Sequence, residues 1–213
     1  PMMSATRFAT DVDYRALEFP QSAPRAADTP VTVCHLAANR PDELAAAAVV
    51  AEELGCAAVD LNLGCPQRTA YLGHFGSYLL DDKDRQLVVD MVRAACSAVK
   101  EIPICAKIRL LGDTEQTLAL CRQLCEAGAL LIAIHARQRA TWERTSAGAR
   151  DGPADLRQVA IIKEVLSKDF SHVSIIANGN TGTWQNVQDN LELTAADGLM
   201  SAEGILDNPA LFL

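Results

Sequence analysis

Cys65 is the residue of this chain whose type and position most directly suggest chemistry. Residues 57–61 mix apolar residues with Asp60, a pattern typical of a short buried strand, and Gly64 and Pro66 end that strand. The segment after Cys65, rich in glycine, is predicted to be a loop. In parallel α/β enzymes, reactive groups lie just beyond the carboxyl ends of the strands. An ordinary cysteine is mostly protonated at neutral pH, so Cys65 could serve as a general acid, or as a nucleophile beside a cation. The alternative is a small apolar residue that lines the core.

Two further polar residues lie close to strand ends. Lys107 is near the carboxyl end of a predicted strand, and His135 directly follows the next one. An unpaired ammonium in a buried strand costs several kcal/mol, and an anionic cofactor would remove that cost. The alternative is that Lys107 simply reaches water.

The last two predicted strands each lead into a turn of small residues. One is Ala177-Asn178-Gly179-Asn180 and the other is Ala202-Glu203-Gly204. Small residues allow backbone N–H groups to approach an anion, and a barrel often binds phosphate after its last two strands. The alternative is a pair of ordinary turns.

These residues need a scaffold of alternating strands and helices. The sequence predicts an irregular segment with a short helix over residues 1–30, and a long polar loop over 138–153. The strands are predicted at 31–36, 57–61, 102–108, 130–134, 173–177 and 198–200. The helices are predicted at 39–54 with Asn39 as a possible cap, 82–100, 113–127, 154–168 and from Trp184 onward.

The alternation predicts one α/β domain, residues 1–213, with a parallel sheet. Both an open doubly wound sheet and a (β/α)8 TIM-type barrel satisfy it, the latter incomplete because about six strand–helix units are recognisable. A barrel gathers the carboxyl ends of its strands around one mouth, whereas an open sheet spreads them along an edge. The barrel is favoured by polar residues at such ends, which are Asn62, Cys65, Lys107, His135, Arg137, Asn178 and Glu203.

Composition narrows the class of protein. The net charge of −8 disfavours a stand-alone nucleic-acid binder, although four arginines (Arg137, Arg139, Arg144 and Arg150) could form a local basic patch. The seven cysteines include no CxxC pair, and Cys121 and Cys125 are better explained as core residues than as metal ligands. We therefore expect no metal, no membrane span and no signal peptide. The expected location is a reducing intracellular compartment, the cytoplasm first and an organelle as the alternative.

Six motifs follow one another along the chain: LNLGCPQ (61–67), GHFGSYLL (73–80), AKIRL (106–110), IHAR (134–137), ANGN (177–180) and DGLMSAEGILDNPALF (197–212). Together they resemble the tRNA-dihydrouridine synthases of the eukaryotic branch that modifies D-loop uridines. Other FMN barrels, such as dihydroorotate dehydrogenases, also place a Cys-Pro near a strand end. The MSAEG and GHFG segments favour the synthase.

The resemblance implies a flavin reaction on a nucleobase. FMN would lie across the barrel mouth, NADPH would reduce it, and hydride would pass to C6 of a flipped-out uracil in the tRNA D loop. Cys65 would give a proton to C5, Lys107 would stabilise the anionic reduced flavin, and His135 would also contact it. His35 stands where the family has a flavin-binding Gln.

The resemblance also implies two groups of binding residues. One group matches the phosphate-side segment, where backbone donors should act because the Glu203 carboxylate would repel phosphate: Asn178, Gly179, Asn180, Ala202 and Glu203. The other matches positions that line the uracil pocket: Asn62, Arg109 and Arg137.

The chain also departs from the family pattern. Pro1-Met2 matches only the end of the family's second strand, so the first barrel unit, most of the second strand and the C-terminal helical domain would be absent. A partner or a missing segment would then cover the open edges of the barrel. Two alternatives follow: a degenerate, flavin-free barrel that serves as an RNA- or protein-binding scaffold, or another FMN oxidoreductase that acts on a free pyrimidine.

Overall fold

A computed structural model describes residues 2–19, 31–140 and 152–213, and its centre is one parallel sheet of seven strands. The strands are β1 (Met3–Ser4), β2 (Val33–Ala37), β3 (Ala58–Leu63), β4 (Ile104–Leu110), β5 (Leu131–Gln138), β6 (Ser174–Asn178) and β7 (Gly198–Met200). The sequence predicts six strands. The additional one, β1, is only two residues long and is recognisable only by its pairing with β2.

Helices connect and flank the strands. They are α1 (Ala5–Thr10), α2 (Val12–Glu18), α3 (Pro41–Glu53), α4 (Arg68–Leu72), α5 (Arg85–Ala98), α6 (Thr114–Glu126), α7 (Leu156–Asp169), α8 (Trp184–Thr194) and α9 (Glu203–Asp207). Two short 3-10 segments, Gly76–Leu79 and Asp82–Asp84, precede α5.

The strand order decides between the two predicted closures. Each strand pairs in parallel with the next one along the chain, from β1 through β7. A doubly wound sheet reverses its strand order at a switch point, and this sheet does not reverse. The α/β fold of TIM-barrel type is therefore confirmed.

The two faces of the sheet differ because successive side chains alternate across a strand. On the outer face, apolar side chains pack under the helices in one core: Val59, Leu61 and Leu63 of β3, Ile104, Ala106, Ile108 and Leu110 of β4, and Ile132, Ile134 and Ala136 of β5. The intervening residues face the barrel interior: Asp60, Asn62, Cys105, Lys107, Arg109, Ala133, His135 and Arg137. The interior face therefore carries the polar side chains.

The amino-terminal segment is more helical than the predicted irregular segment with one short helix over residues 1–30, of which residues 20–30 lie outside the described part. Its described part forms α1 and α2, capped by Ser4 and Asp11. Phe8 is fully buried, and its ring meets that of Phe19 edge-on with the centroids 5.8 Å apart. Such short helices depend on tertiary packing rather than on local propensity, which explains why the sequence pattern is weak.

Three local predictions are also corrected. The cap residue of α3 is Arg40, and the Asn39 side chain instead donates to the Gly73 carbonyl at 3.1 Å. The helix predicted from Asp82 begins with a 3-10 segment and becomes α5 at Arg85. The segment after Cys65, predicted as a loop, contains α4. Arg144 and Arg150 of the predicted basic patch lie outside the described residues.

Candidate active site

Strand register brings the predicted site residues to one mouth of the barrel. Asn62 of β3 pairs with Lys107 of β4. One layer further toward the carboxyl ends, Arg109, His135 and Asn178 are register partners across β4, β5 and β6. Residues far apart in the chain therefore lie within two successive layers of the interior.

The Cys65 turn is held by side-chain and backbone hydrogen bonds. Asn62 Oδ1 accepts from the backbone N–H groups of Gly64 and Cys65, both at 3.0 Å. The Cys65 carbonyl accepts from the backbone N–H of Ser77 at 3.1 Å and from its hydroxyl at 2.9 Å. Gly76 has a φ of +65°, and a Cβ there would lie 2.8 Å from the Cys65 carbonyl oxygen, so only glycine fits. Cys65 is thus fixed by its backbone and remains partly exposed.

Lys107 is a largely buried cation at the centre of this site. Burial lowers the pKa of Lys107, as does Arg109, while the Asp60 carboxylate and, when it is ionised, the Cys65 sulfur act in the opposite direction. Across residues 2–19, 31–140 and 152–213, no hydrogen bond or ion pair of its ammonium is found. Lys107 is the register partner of Asn62, and it lies close enough to Asp60 and Cys65 for their charges to affect its own.

Asp60 and His35 form a pair beneath Asn62. His35 Nδ1 and Asp60 Oδ2 are 2.7 Å apart, and the Asp60 residue is 7% exposed. The second carboxylate oxygen, Asp60 Oδ1, is buried with no hydrogen-bond partner among the described residues. A buried carboxylate with one unsatisfied oxygen is costly unless another group or water reaches it.

His135 lies among three cations and is neutral. Burial, followed by the charges of Arg109, Lys107 and Arg137, lowers the pKa of His135 to about 3. Arg137 Nη1 donates to His135 Nε2 at 2.9 Å, so the ring proton is on Nδ1. Arg109 is anchored by donating to the Gly64 carbonyl at 2.8 Å and to the Gln138 carbonyl at 3.0 Å. Burial and then Arg137 lower the pKa of Arg109.

A cavity of about 340 Å³ opens beside His135 and the ends of β6 and β7. Its wall is braced by Arg137 Nη2, which donates to Asn180 Oδ1 at 2.7 Å, and by Asn178 Nδ2, which donates to the Met200 carbonyl at 2.8 Å. Gly179 has a φ of +131°, and a Cβ there would lie 2.7 Å from Ala154 Cβ. The lining comprises His135, Arg137, Asn178, Gly179, Asn180, Thr181, Gly182, Asn186, Met200, Ser201, Ala202, Glu203, Gly204 and Asp207. The cleft thus combines polar side chains with three glycines, Gly179, Gly182 and Gly204.

A sequence model of one protein family, described as dihydrouridine synthase (Dus), matches residues 1–213. The chain belongs to the dihydrouridine synthase family. It is 35% identical over 212 residues to a Saccharomyces cerevisiae protein named tRNA-dihydrouridine(16/17) synthase, covering 100% of this chain and 47% of that protein. It is 32% identical to a Mus musculus protein named as tRNA-dihydrouridine(16/17) synthase-like, covering 100% of this chain and 41% of that protein. The chain thus spans about half the length of these relatives or less.

Solved structures support the fold of this dihydrouridine synthase family member. A phosphoenolpyruvate phosphomutase from Streptomyces platensis subsp. rosaceus superposes with a TM-score of 0.57 at 16% identity, covering 88% of this chain and 62% of that one. At this identity the likeness concerns the fold alone.

The predicted site of this dihydrouridine synthase family member is arranged as two groups. On β2–β4 and the turn that follows β3 lie His35, Asn62, Cys65, Lys107 and Arg109; around the cavity lie His135, Arg137, Asn178, Gly179, Asn180, Ala202 and Glu203. Arg137, predicted to line a uracil pocket, lies on the cavity side with His135. The individual roles of these residues stay predictions.

Sequence reasoning missed several contributors to the site. Asp60 carried a signal, since a lone carboxylate within a buried apolar strand calls for a partner. Arg139 donates to the Ser77 carbonyl at 2.8 Å and to Asp81 at 3.0 Å, and so braces the turn that holds Cys65. Nothing in the local sequence around Ser77 or Arg139 indicates that contact.

Two features are absent from the described part of the chain, a membrane-spanning helix and a metal-binding cluster. There, no helix has both the length and the apolar character needed to cross a bilayer. In the same residues, no group of three or more His, Cys, Asp or Glu side chains is arranged to hold a metal ion.

Proposed function

We propose that the protein reduces uridine to 5,6-dihydrouridine in the D loop of tRNA, with FMN as the bound cofactor and NADPH as the reductant. Membership of the dihydrouridine synthase family and the names of its relatives support this. The observation that carries the proposal is the largely buried ammonium of Lys107, which has no hydrogen bond or ion pair among the described residues and lies next to the Cys65 turn at the mouth of the barrel. A cation in that position calls for an anion, and Cys65 supplies an acid beside it.

The residues present fit FMN. Lys107 would hold the negative charge of the reduced isoalloxazine ring, and the neutral His135 offers its Nδ1–H as a donor. The adjoining cavity, with Gly179 and Gly204 in its wall, lets backbone N–H groups approach a phosphate. Arg137 contributes positive charge there, while the exposed carboxylate of Glu203 lies at its border. The phosphate would therefore be bound by backbone donors and not by that carboxylate.

When bound and reduced by NADPH, FMN supplies the hydride that adds to C6 of uracil. Addition leaves negative charge on the C4 oxygen of the base as an enolate, and the Cys65 thiol gives its proton to C5, which leaves a single C5–C6 bond and a thiolate. Solvent then returns the proton to the sulfur. Arg109 and Arg137 are the proposed contacts to the flipped-out base, and these cations favour the developing charge. Asn62, also predicted to line the uracil pocket, has its amide occupied by contacts within the protein.

Seven free cysteines and the tRNA substrate suit a reducing intracellular compartment, which we propose as the site of action.

The test is flavin content followed by turnover. Purified protein, or protein reconstituted with FMN, should show flavin absorbance and should form dihydrouridine in unmodified tRNA when NADPH is supplied. A colourless preparation that also refuses added FMN would favour a flavin-free scaffold. Reduction of free uracil or dihydroorotate-like substrates without any tRNA product would identify a different FMN oxidoreductase.

A further inference from the structure

The side-chain amide of Asn62 is saturated with contacts. Its Oδ1 accepts from the N–H groups of Gly64 and Cys65 at 3.0 Å each. Its Nδ2 lies 2.8 Å from Met2 Sδ and 2.9 Å from His35 Nε2. Asn62 is 8% exposed, so these contacts are shielded from water. Because two backbone N–H groups face one end of the amide, that end must be the oxygen, and the amide orientation is fixed.

The fixed amide determines the tautomer of His35. Asn62 Nδ2 carries only donors, so His35 Nε2 must accept and cannot hold a proton. The proton is then on Nδ1, which donates to Asp60 Oδ2 at 2.7 Å. Each ring nitrogen is thereby engaged, and neither is left to donate an N–H to a flavin.

We propose that His35 is a positioning residue that acts through Asn62, holding the turn that presents the Cys65 thiol. Asp60 fixes the ring tautomer, His35 orients the Asn62 amide, and Asn62 binds the backbone N–H groups of Gly64 and Cys65. The hydrogen bonds that run from Asp60 through His35 and Asn62 to the Cys65 turn, here called the relay, are independent of the proposed function. Only the catalytic meaning of the relay rests on that function. The inference adds to the proposed function the residue that positions the Cys65 thiol.

The relay specifies which side chains can occupy position 35. That position must offer an acceptor toward Asn62 and a donor toward Asp60. A glutamine amide offers both, with its oxygen toward Asn62 and its nitrogen toward Asp60, whereas leucine fills the space and offers neither. We therefore expect His35→Gln to preserve the hydrogen bonds to Asn62 and Asp60, and His35→Leu to lose them.

The direct test is amide hydrogen exchange of Gly64 and Cys65 in His35→Leu and His35→Gln. Loss of the contact between His35 and Asn62 frees the Asn62 amide to rotate, so exchange at the Gly64 and Cys65 amides should accelerate in His35→Leu. The expected factor is about tenfold, which corresponds to one hydrogen bond of ordinary net strength. It should stay near the wild-type rate in His35→Gln and in the control His172→Leu, whose histidine is exposed and distant in the chain. Exchange at the buried strand residue Ile132 serves as the reference for global stability.

Further measurements separate the relay from general destabilisation. In an Asn62→Ala background, His35→Leu should add no further acceleration, because the intermediary is gone. Long-range proton–nitrogen spectra of the wild-type protein should place the ring proton of His35 on Nδ1. Dihydrouridine formation in His35→Leu should show a reduced kcat with unchanged flavin affinity.

Several results would overturn the relay. One is a His35 ring proton on Nε2. Another is amide hydrogen exchange at Gly64 and Cys65 that is equal in all variants. A third is exchange at Ile132 that accelerates in His35→Leu as much as exchange at Cys65. These readouts need no turnover, so they can reject the relay while the proposed function stands. Conversely, an inactive wild-type protein that keeps the relay rejects only the function.

Discussion

The two sides of the barrel mouth differ in how completely their polar groups are satisfied. On the β3–β4 side (Asp60, Asn62, Cys65, Lys107), the Lys107 ammonium and one Asp60 oxygen lack partners among the described residues. On the β5–β7 side (His135, Arg137, Asn178, Gly179, Asn180), the arginine bridges His135 and Asn180, and Asn178 bonds across to β7.

The difference indicates that the two sides of the mouth have different roles. The β5–β7 side is pre-organised by its own hydrogen bonds, so binding there requires little rearrangement. On the β3–β4 side, the largely buried Lys107 ammonium has no partner among the described residues, a cost that a bound anion would relieve. The proposed function therefore predicts that substitution of Cys65 alters the chemical step alone, whereas substitutions on the β5–β7 side alter cofactor binding.

The largest expected effect is that of Cys65→Ala. Dihydrouridine formation should fall by about two orders of magnitude or more, the usual scale for loss of a general acid. Flavin binding and flavin reduction by NADPH should be unchanged, because the thiol is needed only for proton transfer. Single-turnover assays with pre-reduced protein and tRNA would measure this, with the partly buried Cys96→Ala as the matched control. An unchanged product yield would contradict the acid role.

Lys107→Met should move flavin affinity and protein stability in opposite directions. Removing the cation should weaken FMN binding about tenfold to hundredfold, the range for a charge-assisted contact. The flavin-free protein should become more stable, on the order of 1 kcal/mol, because a largely buried ammonium with no partner among the described residues is replaced by an apolar chain. Fluorescence titration with FMN and urea unfolding without it give the two values. Destabilisation together with full FMN affinity would show that Lys107 is structural.

Gly179→Ala tests the β5–β7 side. The new methyl group would meet Ala154 Cβ at 2.7 Å in a backbone with φ of +131°. We expect a loss of about 2 kcal/mol in the free energy of unfolding, together with weaker FMN binding. Gly55→Ala is the control: φ is +76° there, and nothing lies within 4 Å. It should show only the smaller backbone cost and bind FMN normally; equal effects of the two changes would remove Gly179 from the site.

The smallest effect concerns His135 and pH. Its pKa is about 3 in the folded protein, against an ordinary value of 6.5. The unfolded chain therefore takes up a proton that the folded protein refuses, so this contribution is complete above pH 6.5 and declines as pH falls toward 3. Allowing for partial exposure of the ring, the loss at pH 5 is on the order of 1 kcal/mol. Urea unfolding at pH 5 and at a pH above 6.5 should show this loss of stability in the wild type and a smaller loss in His135→Gln.

Most of the scaffold could be predicted from local patterns. The strand around Asp60, the strand that bears Lys107 and the strand before His135 each appear within a few residues of their predicted places. Buried parallel strands are near-continuous apolar runs, which a sequence reveals directly. The errors fall where packing overrides local preference, as at α1, α2 and α4, and at Asn39, whose amide bonds to Gly73 and not to the helix it precedes.

The sequence by itself determined the order of strands and helices, the family and the set of chemical groups, because these depend on residue type and on spacing along one strand or helix. Only the tertiary structure decided their pairings. Register sets Asn62 beside Lys107, His35 reaches Asp60 across 25 positions, and Arg137 joins His135 to Asn180. Such contacts arise from how separate strands align in space, and neither partner's local sequence contains that information.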